Sequence, residues 1–199
     1  MLPDEEYKVI RITDERFLDV IVELHLEAFK YVLSGQIGKT FLRKYYKSIL
    51  DKGFIYGVIT KEQIVGFVSG IINESELSDL KYYFWAGFGI LSHLFSFTLI
   101  RSLFRHFKRL KSFRDVELKS ELLSIAVSET MRGKGIGISL VKALEKFFSE
   151  CKVDSYKVFT DTKYSTGYKL YEKLGFQLFR EVDLYGLPFR MYISNINVK

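Results

Sequence analysis

Residues 121–137 run Glu121-Leu-Leu-Ser-Ile-Ala-Val127, then Ser128-Glu-Thr-Met131, then Arg132-Gly-Lys-Gly-Ile-Gly137. The apolar, partly β-branched first part predicts a strand, taken here from Leu118 to Val127. The glycines then open a helix over Gly137–Cys151, with Leu140, Leu144, Phe147 and Phe148 toward the core. A strand that enters a helix through glycines makes an anion cradle. The first N–H groups of the helix lack intrahelical acceptors, and its dipole favours negative charge. Glycine also lets phosphate oxygens approach the backbone. Arg132 and Lys134 add positive charge. The spacing is G-x-G-x-G after an arginine, not the G-x-G-x-x-G of a dinucleotide fold. Gly38-Lys39-Thr40 imitates the end of a nucleotide-binding loop, but position 33 is Leu and no apolar strand leads in. A plain tight turn is the competing reading of residues 132–137.

Outward from this stretch the pattern alternates between strands and helices. Strands are predicted over Tyr7–Ile12, Phe54–Thr60, Ile64–Ile72, Tyr156–Thr160, Phe176–Asp183 and Pro188–Ser194. Phe54–Thr60 and Ile64–Ile72 form a hairpin, and the final pair closes around Tyr185-Gly186-Leu187. Thr13 offers a cap for a helix with Phe17, Ile21, Leu24 and Ala28 on one face. A second helix spans Thr40–Leu50, with Phe41, Tyr45 and Ile49 inward and Gly53 as its stop. A short helix, Ser165–Leu174, ends at Gly175. The expectation is an α/β (α+β) mixed central sheet of about seven strands flanked by helices. One domain spans 1–199, with a largely helical insertion at about 74–117 between the third and fourth strands.

A second motif supports the glycine loop. Gly167-Tyr-Lys-Leu-Tyr171-Glu-Lys-Leu-Gly175-Phe176 lies about forty residues downstream. Together the two motifs resemble the GNAT superfamily of N-acetyltransferases. The likeness runs from Val9 to Ser194 in element order and is specific over about 121–176. It implies acetyl-CoA as co-substrate and an amine as acceptor. On this resemblance the cofactor lies against Ile125, Ala126 and Val127, with its pyrophosphate over Arg132, Gly133, Lys134, Gly135, Ile136 and Gly137. Tyr168 and Tyr171 complete the cofactor-binding set. The strands at 122–127 and 156–160 would splay to admit its pantetheine arm. Many members carry Asn and Ala where this chain has Tyr164 and Gly167, which removes one amide contact to the cofactor.

The chemistry so implied is direct transfer. An amine of pKa ~10 must lose a proton before it attacks a thioester. Glu121 is the first candidate base and Asp161 the second, a merely solvated glutamate being the alternative for Glu121. A backbone N–H near Val127 would serve the oxyanion. Tyr171 is the candidate acid for the departing thiolate, with a packed core tyrosine as its alternative. The acceptor is expected to be a small molecule such as an amino sugar or a sugar nucleotide. A protein or peptide amine is the other acceptor class. A longer acyl chain and a non-catalytic acyl-CoA-binding module remain open.

Composition narrows the rest. The chain has one cysteine, Cys151, and three histidines, His25, His93 and His106, which argues against a metal site. The acidic start MLPDEEYKVIRIT lacks an apolar signal core, so a cytoplasmic protein is expected. The net charge of +6 is uneven: Arg101, Arg105, Lys108, Arg109, Lys111, Arg114 and Lys119 face only Asp115 and Glu117. Before them, residues 82–100 carry no formal charge. A membrane span is rejected there, because both flanks belong to one sheet. Three roles stand for 82–114: a roof over the acceptor cleft in which His93 would line the pocket, a homodimer surface, or a peripheral membrane contact. Nucleic-acid binding is disfavoured, since no recognised module is present.

Overall fold

The computed structural model describes residues 7–31, 38–61, 63–77, 118–184 and 187–196. The expected helical character of the insertion, its apolar 82–100 and basic 101–114 segments, His93 and the turn at 185–186 lie outside them.

Strands β1 (Lys8–Ile12), β2 (Phe54–Thr60), β3 (Gln63–Ile71), β4 (Glu121–Val127), β5 (Ser155–Asp161), β6 (Gln177–Leu184) and β7 (Leu187–Asn195) form one mixed sheet. Its order is β1-β2-β3-β4-β5-β7-β6. Every pairing is antiparallel except β4 with β5, which are joined through a helix and lie parallel. Helices α1 (Leu18–Phe29) and α2 (Lys39–Lys52) cover one face, and α3 (Ile136–Glu150) and α4 (Gly167–Lys173) the other. The expected mixed seven-stranded sheet with flanking helices is therefore present. Among the described residues no helix is long and apolar enough to cross a membrane.

Each face has its own core. Val68, Leu122, Leu140, Leu144, Phe148 and Tyr171 pack on the α3/α4 side. Leu18, Ile21, Leu42, Tyr46, Ile49 and Phe67 pack on the α1/α2 side. Two sequence readings are corrected here. The first helix is preceded by a 3-10 turn, Glu15–Phe17, and Asp14 rather than Thr13 caps it, accepting from Arg16 N at 2.8 Å. In α2 the inward row is Leu42, Tyr46 and Ile49, not Phe41, Tyr45 and Ile49. Two successive four-residue steps drift off a 3.6-residue stripe, whereas a step of four then three returns to it. The shift also gives Tyr46 a polar partner, because its hydroxyl shares a 2.7 Å hydrogen bond with the buried His25 Nδ1.

The two stems of the insertion are fastened together. Glu74 N donates to Lys119 O at 2.9 Å, and Ser120 Oγ donates to Ile72 O at 2.8 Å. Lys157, on β5, holds both stems at once: its Nζ meets Glu74 Oε1 and Leu118 O, each at 2.9 Å. Its side chain is only 4% exposed. A buried ammonium of this kind requires both a countercharge and a further acceptor, and it has them.

Candidate active site

The site begins with a fault in β4. Against β3, Ser69 pairs with Ser124 but Gly70 pairs with Leu122, so Leu123 is an extra residue in β4. Such a bulge bends a strand and breaks its pairing. The effect falls on the other edge: among the described residues β4 pairs with β5 at Glu121↔Lys157 and Leu122↔Val158 and no further. From Leu123 to Val127 the strand has a partner on one side and a slot on the other.

The bulge also arranges the side chains. Leu122, Ile125 and Val127 belong to the α3/α4 core. Leu123 and Ala126 belong to the α1/α2 core. Glu121, next to Leu122, falls on the α1/α2 side, where its charge acts on Tyr45 of α2. Burial, then the Glu121 charge, push the Tyr45 phenol well above its ordinary range, and a hydrogen bond with Ser124 opposes them. Glu121, Tyr45 and Ser124 thus form a polar group beside the slot on one face. Tyr171 stands on the opposite face.

At the top of the slot the chain makes a 3-10 turn, Glu129–Met131, and then the glycine loop. Gly133 and Gly135 both have φ of +79°, and a Cβ on either would meet nothing within 4 Å. The left-handed backbone demands glycine there, and the space in front of it is open. Gly135 is also the N-cap of α3, with no side chain capping the helix. A helix that starts uncapped, behind two left-handed glycines and open space, fits a pyrophosphate. Not all residues expected in the cradle face it. Ile136 is buried, so only its backbone can contribute. Gly137 is a packing glycine: a Cβ there would stand 3.3 Å from Leu170 Cδ2. Arg132 braces the turn, with Nε donating to Val127 O at 3.1 Å and NH1 lying 3.7 Å from Glu129 Oε1.

Tyr171 is 3% exposed and lies against Phe176 and Tyr192, with ring centroids 5.3 and 5.9 Å away. Burial alone pushes its phenol well above 10. Tyr168, one residue-turn away on α4, is half-buried beneath the Arg190 guanidinium, 5.4 Å from its ring centre. Arg190 is itself held by Glu181 at 2.6 Å and Glu172 at 3.0 Å. Asp161, the second candidate base, is buried, and its Oδ1 accepts from Tyr164 N at 2.6 Å and Ser165 N at 3.1 Å. That carboxylate fixes the loop leading into α4. Cys151 is exposed at the C-terminal end of α3, the end opposite the glycine loop. Among the described residues, no three His, Cys, Asp or Glu side chains are placed to share a metal ion.

Sequence reasoning named Tyr45 only as an inward-facing helix residue, and it missed Ser124 and Tyr31. Ser124 faces Tyr45 only because of the bulge, and a bulge in an unbroken apolar run leaves no signal. Tyr31 packs on Tyr164 across the open end of the slot, a contact between distant segments.

Comparison with known proteins bears on all of this. A family model described as the acetyltransferase (GNAT) family matches residues 18–176. No curated protein matches the sequence. Among solved structures, an N-acetyltransferase from Staphylococcus aureus superposes with a TM-score of 0.63 at 12% identity, covering 96% of this chain and 99% of that one. The ribosomal-protein alanine N-acetyltransferase of Escherichia coli gives 0.58 at 10% identity, over 96% and 94% of the two chains. The PaiA N-acetyltransferase of Thermoplasma acidophilum, solved in complex with coenzyme A, gives 0.56 at 13% identity, over 96% and 99%. At such identities the likeness is one of fold.

Proposed function

Since the chain belongs to the acetyltransferase (GNAT) family of acetyl-CoA-dependent N-acetyltransferases, we propose that it moves the acetyl group directly to a primary amine of a small molecule, such as an amino sugar or a sugar nucleotide. One catalytic domain carries the insertion and does the work. The observation that carries the reading is the slot opened by the Leu123 bulge, which runs up to the left-handed Gly133 and Gly135.

In this reading the loop N–H groups at the start of α3 hold the pyrophosphate. The free edge of β4 over Ile125, Ala126 and Val127 holds the pantetheine amides as a partner strand would. The acceptor enters from the α1/α2 face, where Glu121 takes the proton its ammonium must lose. The amine nitrogen then bonds to the carbonyl carbon and the carbon–sulfur bond breaks. Tyr171 meets the leaving sulfur from the other face. Its phenol holds its proton more tightly than a thiol of ordinary pKa ~8.5 would. Tyr171 therefore steadies the thiolate by donating a hydrogen bond; of the two protons the nitrogen loses between ammonium and amide, one passes through Glu121 and solvent to the sulfur and the other is released to solvent.

Calorimetry with acetyl-CoA tests the premise, using Gly135→Glu as the control. The variant places a carboxylate where the phosphates belong, on a backbone that resists any side chain. Binding by the wild type that is lost in a folded Gly135→Glu supports the site; no binding by a folded wild type refutes it.

A further inference from the structure

His25 of α1 is 3% exposed, and Tyr46 of α2 is fully buried. They share a hydrogen bond of 2.7 Å between the imidazole Nδ1 and the phenol. Phe29 covers the imidazole from its own helix, with ring centroids 4.5 Å apart. Tyr45 and Tyr46 are successive residues of α2, and their rings lie 5.1 Å apart at 71°. Successive helix residues point about 100° apart. The Ser124 hydroxyl is nevertheless a hydrogen-bonding partner of both phenols. Ser124 is buried as well. At the far end of this row the charge of Glu121 acts on Tyr45. One polar line thus crosses the α1/α2 core: His25, Tyr46, Ser124, Tyr45, Glu121. Buried polar groups cost stability unless they satisfy one another, and a line of them is held only where each has a neighbour.

Hydroxyls in a line share one direction, because each has a single proton to give. The imidazole at the end sets it. With the histidine proton on Nε2, Nδ1 is an acceptor and Tyr46 donates to it. Ser124 then donates to Tyr46, and Tyr45 to Ser124. All three O–H bonds point away from Glu121. With the proton on Nδ1 the line reverses, and Tyr45 turns its O–H toward Glu121. An O–H turned toward a carboxylate steadies the charged form and weakens it as a base. Only the first direction suits a carboxylate that must take a proton. The other strands beside Glu121 give it fixed neighbours. Lys157, its register partner on β5, is held by Glu74 and Leu118 O, and β3 places Ile71 opposite it.

Resting on the function proposed above, we propose that His25 is a positioning residue for proton removal: neutral and protonated on Nε2, it accepts the Tyr46 hydroxyl, turns the Ser124 and Tyr45 hydroxyls away from Glu121, and leaves that carboxylate the stronger base. His25 acts through three hydroxyls. No bond changes along the line and no proton leaves it; the device is one of orientation.

NMR of the full chain tests this without an acceptor. Nitrogen spectra of isotope-labelled histidine show which ring nitrogen of His25 carries the proton, with His25→Asn assigning the signal. Carbon spectra of isotope-labelled glutamate carboxyls give the titration midpoint of Glu121, with Glu121→Gln assigning it. The proton is expected on Nε2. His25→Leu removes the acceptor and nearly keeps the volume, and should lower the Glu121 midpoint by at least about half a pH unit. His25→Asn, whose carbonyl oxygen can take the place of Nδ1, should restore it. Tyr45→Phe added to His25→Leu should restore it too, since no O–H is left to turn. Tyr46→Phe cuts the line at its next member and should lower the midpoint as His25→Leu does, which keeps the comparison open if His25→Leu does not fold. A proton on Nδ1 overturns the proposal. So does a Glu121 midpoint unmoved by His25→Leu or Tyr46→Phe, or one that stays low in the double variant. Failure of the folded wild type to bind acetyl-CoA in calorimetry overturns the parent reading instead, whatever the titrations show, and this one with it.

Discussion

Leu170 closes on Gly137: a Cβ added to the glycine would stand 3.3 Å from Leu170 Cδ2. The helix that starts at the phosphate cradle thus rests directly on the helix that carries Tyr171. Gly137→Ala asks Leu170 to give by a few tenths of an ångström, and we expect a loss of under about 1 kcal/mol. Gly137→Leu overfills the contact and should cost about 1–3 kcal/mol. Because it pushes α4 away from α3, it should also lower kcat more than it raises KM for acetyl-CoA. Denaturant melts and steady-state kinetics on the two variants check this. Equal damage by both would mean the helices are not coupled through this contact.

Tyr171→Phe keeps the ring against Phe176 and Tyr192 and removes only the hydroxyl. Stability should change by no more than about 1 kcal/mol, the net worth of one hydrogen-bonding group. Turnover should fall by about 10²-fold, within the range of a lost proton or hydrogen-bond donor, while acetyl-CoA binds as before. Wild-type turnover in the variant would reduce Tyr171 to a core residue.

Glu121→Gln is isosteric but cannot accept a proton. A fall of about 10²-fold in kcat/KM for the amine is expected, with acetyl-CoA affinity retained. The loss should shrink at higher pH, where more of the amine is already deprotonated. A loss that is constant across pH would assign Glu121 to binding rather than to proton removal.

Alkaline pH should unfold the protein sharply. Burial is the leading cause that pushes Tyr45, Tyr46, Tyr156 and Tyr171 above their ordinary range. For each, the folded state holds the proton more tightly than the unfolded chain. Nothing is lost below pH ~10, the unfolded value. Above it, the unfolded state releases protons first, and stability falls by up to about 1.4 kcal/mol per pH unit for each tyrosine. Thermal melts should be level from neutrality to that point and then collapse. The collapse should be shallower in Tyr171→Phe. A flat profile past pH ~10 would mean these phenols reach solvent.

The sheet and its helices were legible because their signals are local. Alternation marks strands, glycine marks Gly53, Gly135 and Gly175, and the run from Glu121 to Gly137 joins a strand to a helix within a few residues. The cradle was legible for the same reason. The slot was half legible. That two strands should part came from the family likeness, but where they part is set by Leu123, one residue in an apolar run that looks like its neighbours. The polar group of Glu121, Tyr45 and Ser124 depends on that bulge and on which face of α2 turns inward, and the sequence periodicity misjudged that face by one residue. The Tyr31–Tyr164 pair joins segments 133 positions apart. No window along the chain contains it.

Lys157 gives the fold a hinge-free seam. By fastening both Glu74 and Leu118 to β5, it makes the chain leave the sheet and return at nearly the same point. The ends are already joined, so the sheet has little stake in how much chain runs between them. Each doubling of such a loop adds only about 0.6 kcal/mol of closure entropy. Residues 78–117 are in this sense a replaceable cassette on a fixed socket. A different length of chain could join these two stems without retuning the strands between which the slot opens.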